Sequence, residues 1–214
     1  VSDVRQESPR RAAPAWRDYR SLTAGQLPHE VRAWLLDRES LTTRLLRESR
    51  GQFRVRRLRQ GLGIPPVLES RFLGIPRRQR VLVREVVLLC FGEPWVYARS
   101  LVPVSSLKGP LRRLRALGNE SLGAIVFSEP SLQRGSFEVC RLPGGSSYIH
   151  PDYRQRGEAW ARRSHLSVHG HPLLVSEVFL ESFRPWAGIR SRRPSGETDR
   201  SPDRTGRTPD PRCD

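Results

Sequence analysis

Lysine is almost absent from this chain. Lys108 is the only one among 38 basic residues, so arginine carries nearly all of the positive charge. Cysteine is scarce as well. Cys90, Cys140 and Cys213 are odd in number, far apart, and form no CxxC pair. That spacing excludes a disulfide framework and a zinc knuckle, and it fits reduced thiols in a reducing compartment. No apolar run approaches the roughly 20 residues needed to span a bilayer. The first 20 residues lack the apolar stretch of a secretory signal. Phosphate-binding Gly loops of the Walker and GxGxxG types are missing, and so is a GxSxG nucleophile elbow. A soluble, cytoplasmic protein is the expectation.

What is present is charge. The net charge is +16, and hydrophobic residues make up 36% of the chain, enough for one core with part of the chain unpacked. The first 20 residues and residues 187–214 are each only modestly basic. Most of the excess therefore lies between them, and the protein is not a neutral domain with a basic tail. No long basic run and no stacking-aromatic signature accompanies it. Solvated arginines with a general affinity for polyanions are the plain reading, with an anionic small substrate or a nucleic acid as alternatives.

Residues 1–20 read as a loose extension, with Trp16 and Tyr19 able to touch the body. Residues 187–214 are rich in Ser, Thr, Pro, Gly, Asp and Arg and read as a disordered tail. Between them, residues 21–186 read as one domain. Leu27, Val31, Trp34 and Leu35 follow helical spacing, and Ser40 caps a second short helix containing Leu41 and Leu45. Phe53–Arg59 alternates as a strand. Val81–Phe91 and Trp95–Val104 form a hairpin around Gly92-Glu93-Pro94. Leu107, Leu111 and Leu114 mark a helix, Ser121–Phe127 a short one, and Phe137–Leu142 a strand. Trp160–His169 and Leu173–Leu180 make a second hairpin around Gly170-His171-Pro172. Between the strand 137–142 and this hairpin, residues 143–158 form a long polar loop, either a functional flap or an insertion. The result is an α+β domain, with an antiparallel β-sheet and helices packed on it.

Two charged residues stand in apolar company. Arg84 has Leu82, Val86 and Leu88 as same-face neighbours, and Glu177 has Val175 and Phe179. One reading pairs them as a structural salt bridge or leaves each on a solvated face. The other has Arg84 gripping a ligand carboxylate bidentately while a desolvated Glu177 accepts a hydrogen bond or a proton. Ser121-Leu122-Gly123 opens a helix, whose free amides attract anions. His165, His169 and His171 have no nearby cysteine or carboxylate to complete a zinc set and read as surface histidines.

The run Arg84-Glu85-Val86-Val87-Leu88-Leu89-Cys90-Phe91-Gly92-Glu93-Pro94-Trp95, continued by Ala98-Arg99 and Pro103-Val104-Ser105, resembles the chorismate pyruvate-lyase family of ubiquinone biosynthesis. Trp34-Leu35-Leu36, Ser40-Leu41-Thr42, Ser121-Leu122-Gly123, Arg162-Arg163-Ser164 and Pro172 through Leu180 extend the likeness over about residues 27–181. The resemblance implies a chorismate lyase-like fold and a lyase without cofactor or metal. It implies a monomer that converts chorismate to 4-hydroxybenzoate and pyruvate and that takes no specific nucleic acid. It places the family's arginine on Arg84, its acidic residue on Glu177, and main-chain substrate contacts on Leu41 and Leu122. Arg99, on the returning strand of the first hairpin, is a further candidate for the substrate's second carboxylate. At Leu41 the family often carries methionine, a change that a main-chain contact tolerates. A ligand sensor of the same fold remains the alternative from another class, although the first 26 residues are too short for a helix-turn-helix. A basic nucleic-acid-binding module is the other.

Overall fold

The structure, a computed structural model, describes residues 14–186. The expected disordered tail lies outside the described residues, as does most of the expected N-terminal extension. Seven strands form one antiparallel sheet: β1 (Arg17–Asp18), β2 (Phe53–Gly63), β3 (Val81–Cys90), β4 (Glu93–Pro103), β5 (Gln133–Leu142), β6 (Ala159–Val168) and β7 (His171–Phe179). Their spatial order is β1-β5-β6-β7-β4-β3-β2. Four short α-helices complete the fold: α1 (His29–Leu35), α2 (Leu41–Glu48), α3 (Val67–Phe72) and α4 (Leu122–Val126). This is the α+β architecture expected from the alternation of hairpins and helices. Among the described residues no helix is long and apolar enough to cross a membrane.

Both hairpins turn earlier than the prolines suggested. The first turns on Phe91-Gly92, with φ of +53° and +80°, and the second on His169-Gly170, with φ of +48° and +74°. Two successive positive φ values give a tight turn whose twist matches that of the strands it joins. Pro94 and Pro172 therefore sit inside strands, opposite Leu89 and Ser167. Three further differences are local. The strand at Phe53 runs on to Gly63 past a bulge between Arg57 and Arg59. β5 begins at Gln133, before an irregularity between Arg134 and Phe137. Residues Gly109–Ala116 coil as a 3₁₀ helix with Pro110 in the first turn.

Strand alternation sorts the side chains onto two faces. On one face, Val86, Leu88, Val96, Val139 and Phe179 meet Val31, Trp34 and Leu35 of α1 and Leu41 and Leu45 of α2. Farther along the same face, Leu82, Val102, Leu166 and Leu173 meet the 3₁₀ helix and Ile125 and Val126 of α4. We call this the site face. The reverse face carries Val87, Tyr97, Cys140, Ala161 and Val178, with a second patch of Val81, Val83, Leu101 and Leu174 beside Phe72 of α3.

Residues 143–158 pack on the reverse face. Ile149 is buried with Val87 and Val178, and Tyr148 stacks edge-on against Trp16 at 5.9 Å. The segment thus supplies a missing layer for the sheet, and none of its residues lines the site-face cavity described below. Its base is tight: a Cβ on Gly144 would lie 1.9 Å from the carbonyl oxygen of Arg156. Gly144→Ala should therefore lower the thermal unfolding midpoint markedly, because backbone must move to admit the methyl group. A midpoint equal to wild type, by circular dichroism, would contradict this packing.

Candidate active site

The two apolar clusters on the site face do not meet. Between them the sheet carries a polar band, and over that band the starts of α2 and α4 enclose a cavity. Arg84 on β3, Ser100 on β4, and Val175 and Glu177 on β7 form its floor. Ser40-Leu41-Thr42 and Ser121-Leu122-Gly123 form its roof, and Phe127 and Arg134 close one side. The two roof segments touch through a hydroxyl–hydroxyl hydrogen bond of 2.6 Å between Thr42 and Ser121. Gly123 permits this approach, since a Cβ there would lie 3.0 Å from Thr42 Oγ1 and 3.4 Å from Ser40 Oγ.

Arg84 is 3% exposed and has no carboxylate partner among the described residues. Its Nη1 donates to Gln60 Oε1 (2.9 Å) and to the Gly118 carbonyl (2.8 Å), and its Nη2 donates to the Glu120 carbonyl (2.7 Å). Burial, and then the nearby Arg57 charge, push its pKa below the ordinary guanidinium value. Neutral oxygens fix this side chain in place without cancelling its charge, which leaves a preorganised anion site.

Glu177 is 8% exposed, and its partner is Arg162 on the adjacent β6 strand, Nε to Oε2 at 2.5 Å. A structural salt bridge between Arg84 and Glu177 is thereby ruled out. The register separates them by two strand spacings and two residues, about 12 Å between Cα atoms. That gap suits a flat ring carrying polar groups at opposite ends. Arg162 is 1% exposed and also donates to the carbonyls of Trp34 (2.8 Å), Leu35 (3.2 Å) and Asp37 (3.0 Å) at the end of α1.

Leu41 and Leu122 each occupy the first position of a helix that starts at the cavity. The Ser40 side chain accepts from the Thr43 amide at 3.4 Å, whereas no side chain caps α4. The first-turn amides of α4 are therefore open toward the cavity. Arg99 does not join this group. It pairs in register with Glu85, so its side chain projects from the reverse face. There it bridges to Glu69 and, at 3.5 Å, to Glu85. Arg99 borders the site-face cavity, but strand alternation turns its guanidinium away from it, to the carboxylates of the reverse face.

Sequence reasoning did not single out Arg162 or Arg134 as site residues. Arg162 had a usable signal, since it stands on the same face as Trp160 and Ser164 in a strand whose neighbour carries Glu177. Arg134 had none, because the strand that holds it could not be traced before Phe137.

Comparison with known proteins places the chain in a family. The family model described as chorismate lyase matches residues 14–188. A probable chorismate pyruvate-lyase from Halorhodospira halophila is 42% identical over 172 residues, 78% of this chain and 90% of its own. One from Pseudomonas syringae pv. tomato is 37% identical over 187 residues, 87% of this chain and 97% of its own. Among solved structures, PhnF from Mycobacterium smegmatis superposes with a TM-score of 0.50 at 14% identity, over 68% of this chain and 65% of its own. That last likeness concerns the fold alone.

Arg162→Ala should destabilise the protein by about 3–5 kcal/mol, since it leaves the Glu177 charge buried and unpaired. Denaturant unfolding checks this, and a loss below about 1 kcal/mol, the scale of a surface pair, would contradict the clamp.

Proposed function

The chain belongs to the chorismate lyase family, a family of carbon–oxygen lyases, and from that premise we propose that it cleaves chorismate to 4-hydroxybenzoate and pyruvate. One observation carries the reading. An uncompensated guanidinium and a carboxylate held by its own arginine line the same cavity over the sheet.

In this reaction the ring carbon bearing the enolpyruvyl ether loses that oxygen. The neighbouring carbinol carbon loses its hydrogen, and the ring becomes aromatic. The departing enolpyruvate takes a proton on its methylene carbon and leaves as pyruvate. Aromatisation makes the step strongly downhill, so the protein's task is to bind, orient and exclude water.

In the proposed pose Arg84 and the Leu122 amide bind the ring carboxylate. Nε of Arg84 and the second hydrogen of Nη2 are not used among the described residues. Glu177 and the Leu41 amide then face the hydroxyl that becomes the phenol. Arg162 holds the Glu177 carboxylate in one orientation, pointed at that oxygen. We place the activity in the cytoplasm, in a monomer that feeds ubiquinone synthesis. Cys90 and Cys140 are free and buried, which accords with a reducing compartment.

Purified protein given chorismate should release 4-hydroxybenzoate, read by absorbance, and equimolar pyruvate, read by a coupled dehydrogenase. Arg84→Gln should lower kcat/KM by about ten- to a hundredfold, the worth of one charged hydrogen-bonded contact. Full turnover in that variant would remove Arg84 from the site. Glu177→Gln keeps the side-chain shape and should slow the reaction. A rate and pH profile identical to wild type would remove Glu177 from the chemistry.

A further inference from the structure

Arginines on the site face of the sheet include Arg57, opposite Val86, which is exposed, and Arg84, Arg134 and Arg162, which are not equivalent. Arg162 is committed to Glu177 and to three carbonyls. Among the described residues Arg84 and Arg134 pair with no carboxylate. The nearest acids facing Arg134 are Glu177 and Asp37, and both are already paired, with Arg162 and with Arg44 at 2.7 Å. Arg84 is flanked by Glu120, which is exposed and offers only its carbonyl. The cavity thus holds two uncompensated positive charges. A substrate with a single carboxylate would leave one of them unmatched.

Arg134 is also placed to act. It leaves β5 at the irregularity before Phe137 and reaches over the site face. Nε approaches Ser164 Oγ at 3.4 Å, and Nη1 donates to the carbonyls of Arg38 (3.0 Å) and Glu39 (3.3 Å). Its guanidinium lies 5.1 Å from the Phe127 ring centre and 4.7 Å from that of Phe137. Among the described residues Nη2 donates to nothing, which leaves the end of the fork open. Burial lowers its pKa to about 10, which still leaves it charged at neutral pH.

Position within the sheet gives the assignment. Ser164 lies on β6, one strand from Glu177 on β7 and three strands from Arg84 on β3, so Arg134 approaches the cavity from the side nearer Glu177. In chorismate the ether-bearing carbon adjoins the hydroxyl-bearing carbon. With the ring carboxylate on Arg84 and the hydroxyl toward Glu177, the enolpyruvyl side chain projects at the Glu177 end. We propose that Arg134 binds the carboxylate of this side chain, the group that departs as pyruvate. The proposal rests on the reading that chorismate is the substrate. It makes Arg134 a residue that distinguishes substrate from product, since 4-hydroxybenzoate lacks that carboxylate.

The test uses the full chain as wild type, Arg134→Gln and Arg134→Lys, with two readouts. Steady-state chorismate cleavage should show kcat/KM reduced by about ten- to a hundredfold in Arg134→Gln. Arg134→Lys, which keeps the charge and loses the fork, should fall between it and wild type. Calorimetric binding of 4-hydroxybenzoate should be unchanged in both variants. Equal weakening of substrate and product would assign Arg134 to holding the 38–39 loop and overturn the proposal, as would an unchanged kcat/KM. Should Arg134→Gln fail to fold, Arg134→Lys decides by the same two readouts. A wild-type protein that leaves chorismate intact overturns the substrate reading itself, and this inference with it.

Discussion

A single buried guanidinium, that of Arg162, joins the sheet to its helical cover. It grips a carboxylate from the next strand and the carbonyls that α1 leaves unbonded at its end. The carbonyls at a helix C-terminus attract a cation, and the carboxylate does so more strongly. Replacing such a buried pair by apolar groups of equal volume can leave stability intact, whereas removing one partner cannot. The pair is therefore better understood as fixing Glu177 in one orientation and α1 in one position than as a source of net stability. Its Nη2 makes no hydrogen bond, which is consistent with geometry being held at some energetic cost.

The same strands carry charge to both faces, because adjacent residues point opposite ways. Arg84 and Glu85, Ser100 and Arg99, Glu177 and Ser176, and Arg162 and Arg163 each split between the site face and the reverse face. On the reverse face the charges are matched within the protein. Arg99 meets Glu69 and Glu85, and Arg163 meets Glu138 at 2.6 Å. On the site face Arg84 and Arg134 are not, and that imbalance is what the proposed dianionic substrate would answer. The overall net charge of +16 gives no hint of this local difference. A basic composition alone is equally compatible with nucleic acid. A pair of unmatched arginines lining one cavity is far more selective.

Much of this was legible in the sequence, for physical reasons. A charge among apolar residues at period two must be buried and must find partners, which exposed Arg84 and Glu177 without any relative. The antiparallel α+β architecture followed from two hairpins and short helices, and the family motif added the substrate class. What stayed hidden depended on contacts distant in sequence. Arg162-Arg163-Ser164 reads as a polar run, and nothing local shows that one arginine is fully buried while its neighbour serves the other face. The placement of Arg134 depends on an irregular register. The hairpin turns were misplaced because proline is a strong turn signal, yet here two positive φ values one step earlier did the turning. Arg99 was the instructive error, since its motif neighbours suggested the cavity while strand alternation sent it to the far side.

The position of residues 143–158 has a practical side. The segment covers the reverse face, a full sheet thickness from the cavity, and contributes no atom to the cavity wall. Its length can therefore drift from one relative to another without touching the chemistry. An affinity handle or a fluorescent reporter grafted near Ser146, beyond the tight base at Gly144, would stand clear of ligand entry and leave turnover to be measured on the tagged protein itself.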